Sequence, residues 1–195
     1  MPEEAMTEEF DALEALYGCG ALKRGHFELS SGLHSDTYVQ CSQLLKDPEL
    51  AMAAGRAIAA AVDRPVDVVL SPALGAVVIG FATAAALGCE SIWAERVECA
   101  MTLRRGFHLE PGSRVLLVED VITTGGSILE LAGMVEDAGA EVVSLSCIVD
   151  RSYEPPGGRE VISLARVTAE TYEPEGCPLC AKGSALDSPG SRHVY

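Results

Sequence analysis

Residues 114 to 127 read Arg-Val-Leu-Leu-Val-Glu-Asp-Val-Ile-Thr-Thr-Gly-Gly-Ser and set two kinds of chemistry a few positions apart. Glu119 and Asp120 are adjacent carboxylates, suited to accept hydrogen bonds from a sugar diol. Thr123, Thr124, Gly125, Gly126 and Ser127 combine hydroxyl donors with small backbones that allow close approach, the makings of a phosphate cradle. To serve one ligand, these groups need a strand before them and a helix after them. The apolar run Val115, Leu116, Leu117, Val118 has the pattern of a strand covered on both faces, with the two acids falling where it ends. Ligands of open parallel sheets bind at that edge. Ile128, Leu131, Ala132 and Val135 follow at helical spacing, with Gly139 as the stop, so free N–H groups at the helix start face the anion. No Gly-Lys-Ser or Gly-Lys-Thr follows, which leaves a nucleoside triphosphatase or kinase loop without support.

The rest of the chain supplies a frame for this segment. Phe10, Leu13, Leu16 and Tyr17 predict a helix over 7–17, closed by Gly18 and Gly20. Two short strand-like pieces, 27–29 and 37–40, flank Ser30-Ser31-Gly32. Lys46 or Asp47 leads into a helix reaching Val62, with Pro48 in its first turn. Strand 66–70, a helix to Leu87, strand 91–94, an insertion, strand 115–118, a helix to Ala138 and strand 141–149 then alternate. Such alternation predicts an α/β fold with a central parallel sheet flanked by helices. A further strand is expected over 161–167 in an otherwise irregular tail rich in Pro and Gly.

The Glu119 to Ser127 segment resembles the phosphoribosyl pyrophosphate (PRPP) motif of the type I phosphoribosyltransferases. The resemblance implies that Glu119 and Asp120 hold the ribose hydroxyls and that Val121, Ile122, Thr123, Thr124, Gly125, Gly126 and Ser127 form the 5'-phosphate loop. Other segments are similar to the orotate branch of that family. Residues 25–35, Gly-His-Phe-Glu-Leu-Ser-Ser-Gly-Leu-His-Ser, resemble its N-terminal hood, in which Ser30, Ser31 and Ser35 offer hydroxyls and Tyr38 offers a ring to a planar base. Ser71-Pro72-Ala73-Leu74-Gly75-Ala76 resembles the pyrophosphate loop, where backbone N–H groups of Ala73, Leu74 and Gly75 face the leaving group. Arg151, after Ile148-Val149-Asp150, stands where orotate enzymes grip the substrate carboxylate, with Thr123 beside the base. The alternative for Arg151 is an ion pair with Asp150 or Glu154.

By the same resemblance, residues 95–109 form a mobile loop over the reacting centre, and Arg96 with Arg104 or Arg105 stabilises departing pyrophosphate. The chain departs from long-loop relatives here. Val97 follows Arg96 where they have lysine, and Ser30 and Gly75 stand where some carry lysine. The alternative for Arg104 and Arg105 is a pair of solvated hairpin charges. The implied reaction moves ribose 5-phosphate from PRPP to orotate, giving orotidine 5'-monophosphate, with Mg2+ bound through PRPP rather than directly by the protein. Purine or uracil transfer, and a PRPP-sensing regulator without catalysis, are the rivals. A homodimer is implied by the family alone.

Composition narrows the rest. At 195 residues the chain fits a single domain: helix and hood over 1–45, α/β core over 46–150, strand and tail over 151–195. Acidic residues outnumber basic ones 29 to 14, for a net charge of −15, which disfavours nucleic acid as a partner. The segment 73–87 is too short to span a bilayer, and no secretory signal opens the chain, so neither membrane nor export is expected. Seven scattered cysteines suit a reducing cytoplasm. Cys177-Pro178-Leu179-Cys180 reads as local packing or a labile thiol pair, or as a zinc half-site completed by a second chain; His193 is the histidine nearest in sequence.

Overall fold

The computed structural model describes residues 10–29 and 31–189. Ser30 and His193 therefore lie outside the described residues. Asp11 caps the first helix, α1 (Ala12–Gly18), by accepting from the Glu14 amide at 2.9 Å. Strands β1 (Leu22–Glu28) and β2 (His34–Val39) pair antiparallel and form the hood with β9 (Thr171–Tyr172). A short helix α2 (Ser42–Leu45) precedes α3 (Pro48–Ala61), where the Asp47 side chain caps the first turn and Pro48 enters it.

The remaining elements are β3 (Val68–Pro72), α4 (Val77–Leu87), β4 (Glu90–Val97), β5 (Ala100–Leu103), β6 (Arg114–Ile122), α5 (Gly126–Asp137), β7 (Glu141–Asp150), β8 (Val161–Arg166) and a short α6 (Pro178–Ala181). Six strands form the main sheet in the order β5-β4-β3-β6-β7-β8. All neighbours are parallel except β5, which returns antiparallel along β4. Alternate residues explain the unbroken apolar run in β6. Leu116 and Val118 pack with Ile58 of α3 and Ile79 of α4, whereas Val115 and Leu117 pack with Leu131 and Val135 of α5. Both faces are covered, so every position is greasy. Each such fully buried Leu contributes about 1.5–3 kcal/mol.

Two segments differ from the sequence expectation. The strand carrying the acids does not stop at Val118: β6 continues to Ile122 because β7 stays paired with it as far as Ile122 and Asp150. On its other side the pairing with β3 ends at Leu70 and Leu117. The edge is thus one-sided, and Glu119 and Asp120 sit on a stretch of β6 paired with β7 alone. The second difference lies in the segment 95–109, expected as a mobile covering loop with one hairpin arm over 101–107. It is largely a β4–β5 hairpin whose Met101 and Leu109 are buried and whose Phe107 meets Trp93 edge-on at 4.9 Å.

Helices α3 and α4 cross closely at Gly55. A Cβ there would lie 2.5 Å from the Ala82 carbonyl carbon, backbone that cannot swing aside. Gly55→Ala is expected to lower the thermal midpoint by about 5 °C through overpacking, readable by calorimetry. An unchanged or raised midpoint would show that the helices part without cost.

Candidate active site

The cradle forms where β6 hands over to α5. Gly125 takes φ +77°, a conformation glycine tolerates, and a Cβ on it would lie 2.5 Å from the Pro156 Cβ. It is the N-cap of α5 and supplies no side chain, so the first-turn amides of Gly126, Ser127 and Ile128 have no capping partner. Those residues, with Glu119, Val121, Ile122, Thr123, Thr124 and Gly125, line a cleft of about 170 Å3. That is smaller than the ~300–1,000 Å3 of whole-ligand pockets, and it matches the anionic end of a larger ligand. The sequence-predicted phosphate residues 121–127 are all brought together here.

The acids sit at the mouth. Glu119 lines the cleft, while Asp120 approaches the 73–76 loop so closely that a Cβ on Gly75 would lie 2.9 Å from its Oδ2. Asp120 accepts from the Val121 amide at 2.9 Å, and the Asp120 amide donates to Glu119 Oε1 at 3.2 Å. Neither carboxylate has an ion-pair partner among the described residues. Burial, reinforced by the neighbouring Asp120 charge, raises the Glu119 carboxyl well above the usual carboxylate range. Cys41 Sγ, 3.6 Å from the Asp120 carbonyl, is a contact that sequence reading missed.

In the 73–76 loop the Ala73–Leu74 peptide is cis. The Ala73 amide, expected to face a leaving group, is instead bonded to the Ala94 carbonyl at 2.8 Å and so is spent on the sheet. Leu74 and Gly75 keep amides with no acceptor among the described residues.

At the end of β7, Asp150 pairs with Arg166 at 3.6 Å and accepts from the Ser152 hydroxyl at 2.6 Å. The ion pair considered for Arg151 is therefore not formed with Asp150, nor with Glu154. Arg151 is tied to β6 through its amide, which donates to the Ile122 carbonyl at 2.8 Å. Its Nε is buried and has no acceptor among the described residues. Burial pulls its guanidinium below the ordinary value, with Arg24 adding repulsion and Asp36 and Tyr153 opposing it. Arg151 borders a second cleft, of about 180 Å3, lined also by Asp150, Ser152, Tyr153 and Arg166.

Other expected site residues lie apart from the two clefts or have partners within the chain. Ser31 is exposed in the turn between β1 and β2. Tyr38 lies against Phe27, centroids 5.6 Å apart, and its hydroxyl reaches the Pro189 carbonyl at 3.5 Å. Its ring is used inside the hood, and neither Ser31 nor Tyr38 lines either cleft. Arg96 bonds Glu130 of α5 at 2.9 Å and the Cys99 carbonyl at 2.6 Å; Arg104 and Arg105 both face Glu95, at 3.4 and 2.6 Å. Glu130 also accepts from the Met101 amide at 2.5 Å, so it anchors the hairpin to the helix that starts at the cradle. Nothing in the local pattern marked Glu130. Cys177 and Cys180 lie against His26 and His34 of the same chain rather than waiting for a second one.

A sheet edge that pairs an acidic couple with an uncapped helix start has the donors and acceptors that suit a sugar phosphate. In agreement, residues 40–162 match the family model for the phosphoribosyl transferase domain. The orotate phosphoribosyltransferase of Chlorobium phaeobacteroides (strain DSM 266 / SMG 266 / 2430) is 44% identical over 92% of this chain and 94% of that protein. That of Caldicellulosiruptor saccharolyticus is 48% identical over 89% of this chain and 92% of its own length. The crystal structure of orotate phosphoribosyltransferase from Aeropyrum pernix superimposes with a TM-score of 0.67 at 26% identity, covering 81% of this chain and 94% of that one. The chain belongs to the orotate phosphoribosyltransferase family.

Proposed function

We infer that this protein transfers ribose 5-phosphate from PRPP to N1 of orotate, forming orotidine 5'-monophosphate and pyrophosphate for pyrimidine synthesis. One juxtaposition carries the reading: a carboxylate couple with no ion-pair partner among the described residues, an uncapped helix start beside it, and one strand away a half-buried guanidinium whose Nε lacks an acceptor. The amides of Gly126, Ser127 and Ile128 and the hydroxyls of Thr123, Thr124 and Ser127 take the 5'-phosphate. Glu119 and Asp120 accept from the ribose 2'- and 3'-hydroxyls. As the bond to pyrophosphate breaks with its electron pair, positive charge grows on the ring, and the two carboxylates set a field that favours it. Leu74 and Gly75 direct amides at the departing oxygens. Arg151 offers its guanidinium to the carboxylate of orotate, a two-point contact that this planar group suits. No side chain acts as a nucleophile.

Arg96, Arg104 and Arg105 belong in this proposal as hairpin cations near the leaving group. Their pairs with Glu130 and Glu95 are exposed and weak, so a pyrophosphate displaces them readily. Magnesium fits the donor set, since hard oxygen ligands without a competing cation suit it, and the ion bound on the donor's own pyrophosphate supplies charge neutralisation to the leaving group. Glu119 and Asp120 would hold it through the ribose hydroxyls. We also propose a homodimer, supported by Leu74, Val78 and Phe81, exposed large apolar residues at i, i+4 and i+7. A reducing cytoplasm is supported by seven cysteines without a disulfide. Among the described residues no helix is long and apolar enough to cross a membrane.

The deciding experiment is a base panel with PRPP and Mg2+, following pyrophosphate release. Orotate is expected to turn over fastest. Faster release with adenine, guanine or uracil would overturn the base assignment, and PRPP binding without release on any base would identify a regulator.

A further inference from the structure

Four groups from opposite ends of the chain converge beneath the hood. His26 Nε2 lies 2.9 Å from His34 Nδ1 and 3.5 Å from Cys177 Sγ. Cys180 Sγ lies 3.7 Å from His26 Nε2 and 3.3 Å from His34 Nδ1. All four atoms fall within 4.8 Å of one another. A tetrahedral zinc with its usual bond lengths, about 2.0–2.1 Å to nitrogen and about 2.3 Å to sulfur, separates nitrogen from nitrogen by about 3.3 Å and nitrogen from sulfur by about 3.6 Å. The three nitrogen–sulfur separations of 3.3, 3.5 and 3.7 Å match that edge to within a few tenths of an ångström, the histidine pair needs to open slightly, and the two remaining pairs lie within 4.8 Å and would draw in on the ion.

Three further observations point the same way. His26 Nδ1 lies 3.0 Å from the Ser184 carbonyl, which only accepts, so Nδ1 carries the proton and Nε2 turns a lone pair into the cluster. A carbonyl holding the far nitrogen of an imidazole is the usual support of a metal-ligating histidine. The register of β1 against β2 slips between Arg24 and Phe27, and this irregularity leaves both His26 and Phe27 buried although they are sequence neighbours. A bulge of this kind re-aims a side chain. Finally, His26, His34 and Cys177 are buried, while Cys180 lies at the surface, which leaves a route of entry.

We propose that His26, His34, Cys177 and Cys180 bind a structural Zn2+ ion that clips the C-terminal tail onto the hood. Two thiolates and two neutral imidazoles form a borderline-soft donor set that selects zinc over magnesium. Four protein ligands leave no open position, so the site is structural and not catalytic. Binding releases two thiol protons and leaves a cluster of zero net charge, which suits its burial. The clip would reinforce thin pairing: β9 is two residues long and pairs with His34 and Ser35, and the tail otherwise meets β1 in a bridge between Phe27 and Asp187. The ion would join β1, β2 and the 177–180 knuckle and so hold the turn that carries Ser31.

The test uses the full chain, prepared without a metal-affinity column from zinc-supplemented medium. Elemental analysis is expected to find one zinc per chain, falling below about a tenth of that in Cys180→Ser and His34→Ala. After chelation, Co2+ is expected to produce tetrahedral visible bands and a thiolate charge-transfer band saturating at one equivalent, bleached by Zn2+. Chelation is expected to lower the thermal midpoint by about 5 °C or more, with zinc restoring it. The cobalt titration uses the unaltered chain and stays informative if the variants fail to fold. Absence of zinc together with a colourless cobalt titration would overturn the proposal, as would a Cys177–Cys180 disulfide in protein prepared under reducing conditions. Metal content and colour are read without any assay of transfer.

Discussion

The double variant Glu119→Gln with Asp120→Asn is expected to lose about 10³-fold or more in kcat/KM, since removing a single preorganised electrostatic stabiliser already costs about 10²–10³. The amides keep the shape of the couple and remove its charge. Because the two acids act on one ring, the loss is not the product of the single losses. The same variant is expected to melt higher than the native chain at alkaline pH. The sign follows from Glu119, whose folded-state pKa is raised by burial and by the Asp120 charge. Its contribution to stability is fully present below the ordinary carboxylate range and is lost as pH rises through the raised value. Glutamine does not ionise and escapes that loss. Donor binding pulls the other way, because diol hydroxyls and a nearby cation favour the carboxylate anion, so PRPP uptake with Mg2+ should expel protons near neutrality. Pyrophosphate-release kinetics, melting curves across pH and calorimetry in buffers of different ionisation enthalpy read these effects. Unaltered turnover in the double variant would remove the sugar site from β6.

Arg151→Ala is expected to raise KM for orotate by about 10–100-fold, the value of a hydrogen-bonded charge at about 1.5–3 kcal/mol. KM for PRPP should stay nearly constant, because the cradle residues 121–128 are untouched. Arg151→Lys should recover little, since an ammonium keeps the charge and loses the two-point geometry. Stability separates this role from a structural one. The buried Nε has no acceptor among the described residues, so its removal should leave the thermal midpoint unchanged or raised. A rise in both KM values together with a lower midpoint would make Arg151 a packing residue.

Much of the core was readable along the chain. The apolar run 115–118, the 128–135 periodicity and the Pro48 helix start all correspond to formed elements, because periodicity and capping are local properties. The cradle was equally local, since one strand–loop–helix unit holds it. Pairing was harder to read. How far β6 extends depends on β7, whose Asp150 lies opposite Ile122. The hairpin over 95–109 is held by the burial of Met101 and Leu109 and by Glu130, which bonds the Met101 amide from 29 positions away. Tyr38 has the local look of a base platform, yet the tail it touches at Pro189 is remote in sequence.

Residue types and short spacings by themselves determined that this chain builds a covered parallel sheet, with carboxylates and a glycine-hydroxyl turn at one strand's end. Tertiary structure alone decided which charges are spent and which are free. Asp150 is taken by Arg166, leaving Arg151 available, and the Ala73 amide is taken by Ala94. It alone brought His26 and His34 to Cys177 and Cys180, 151 positions separating the first of each pair. The reason is that element type follows from neighbours within a turn or two, whereas hydrogen-bond partners and metal ligands follow from which distant segments share the same few ångströms.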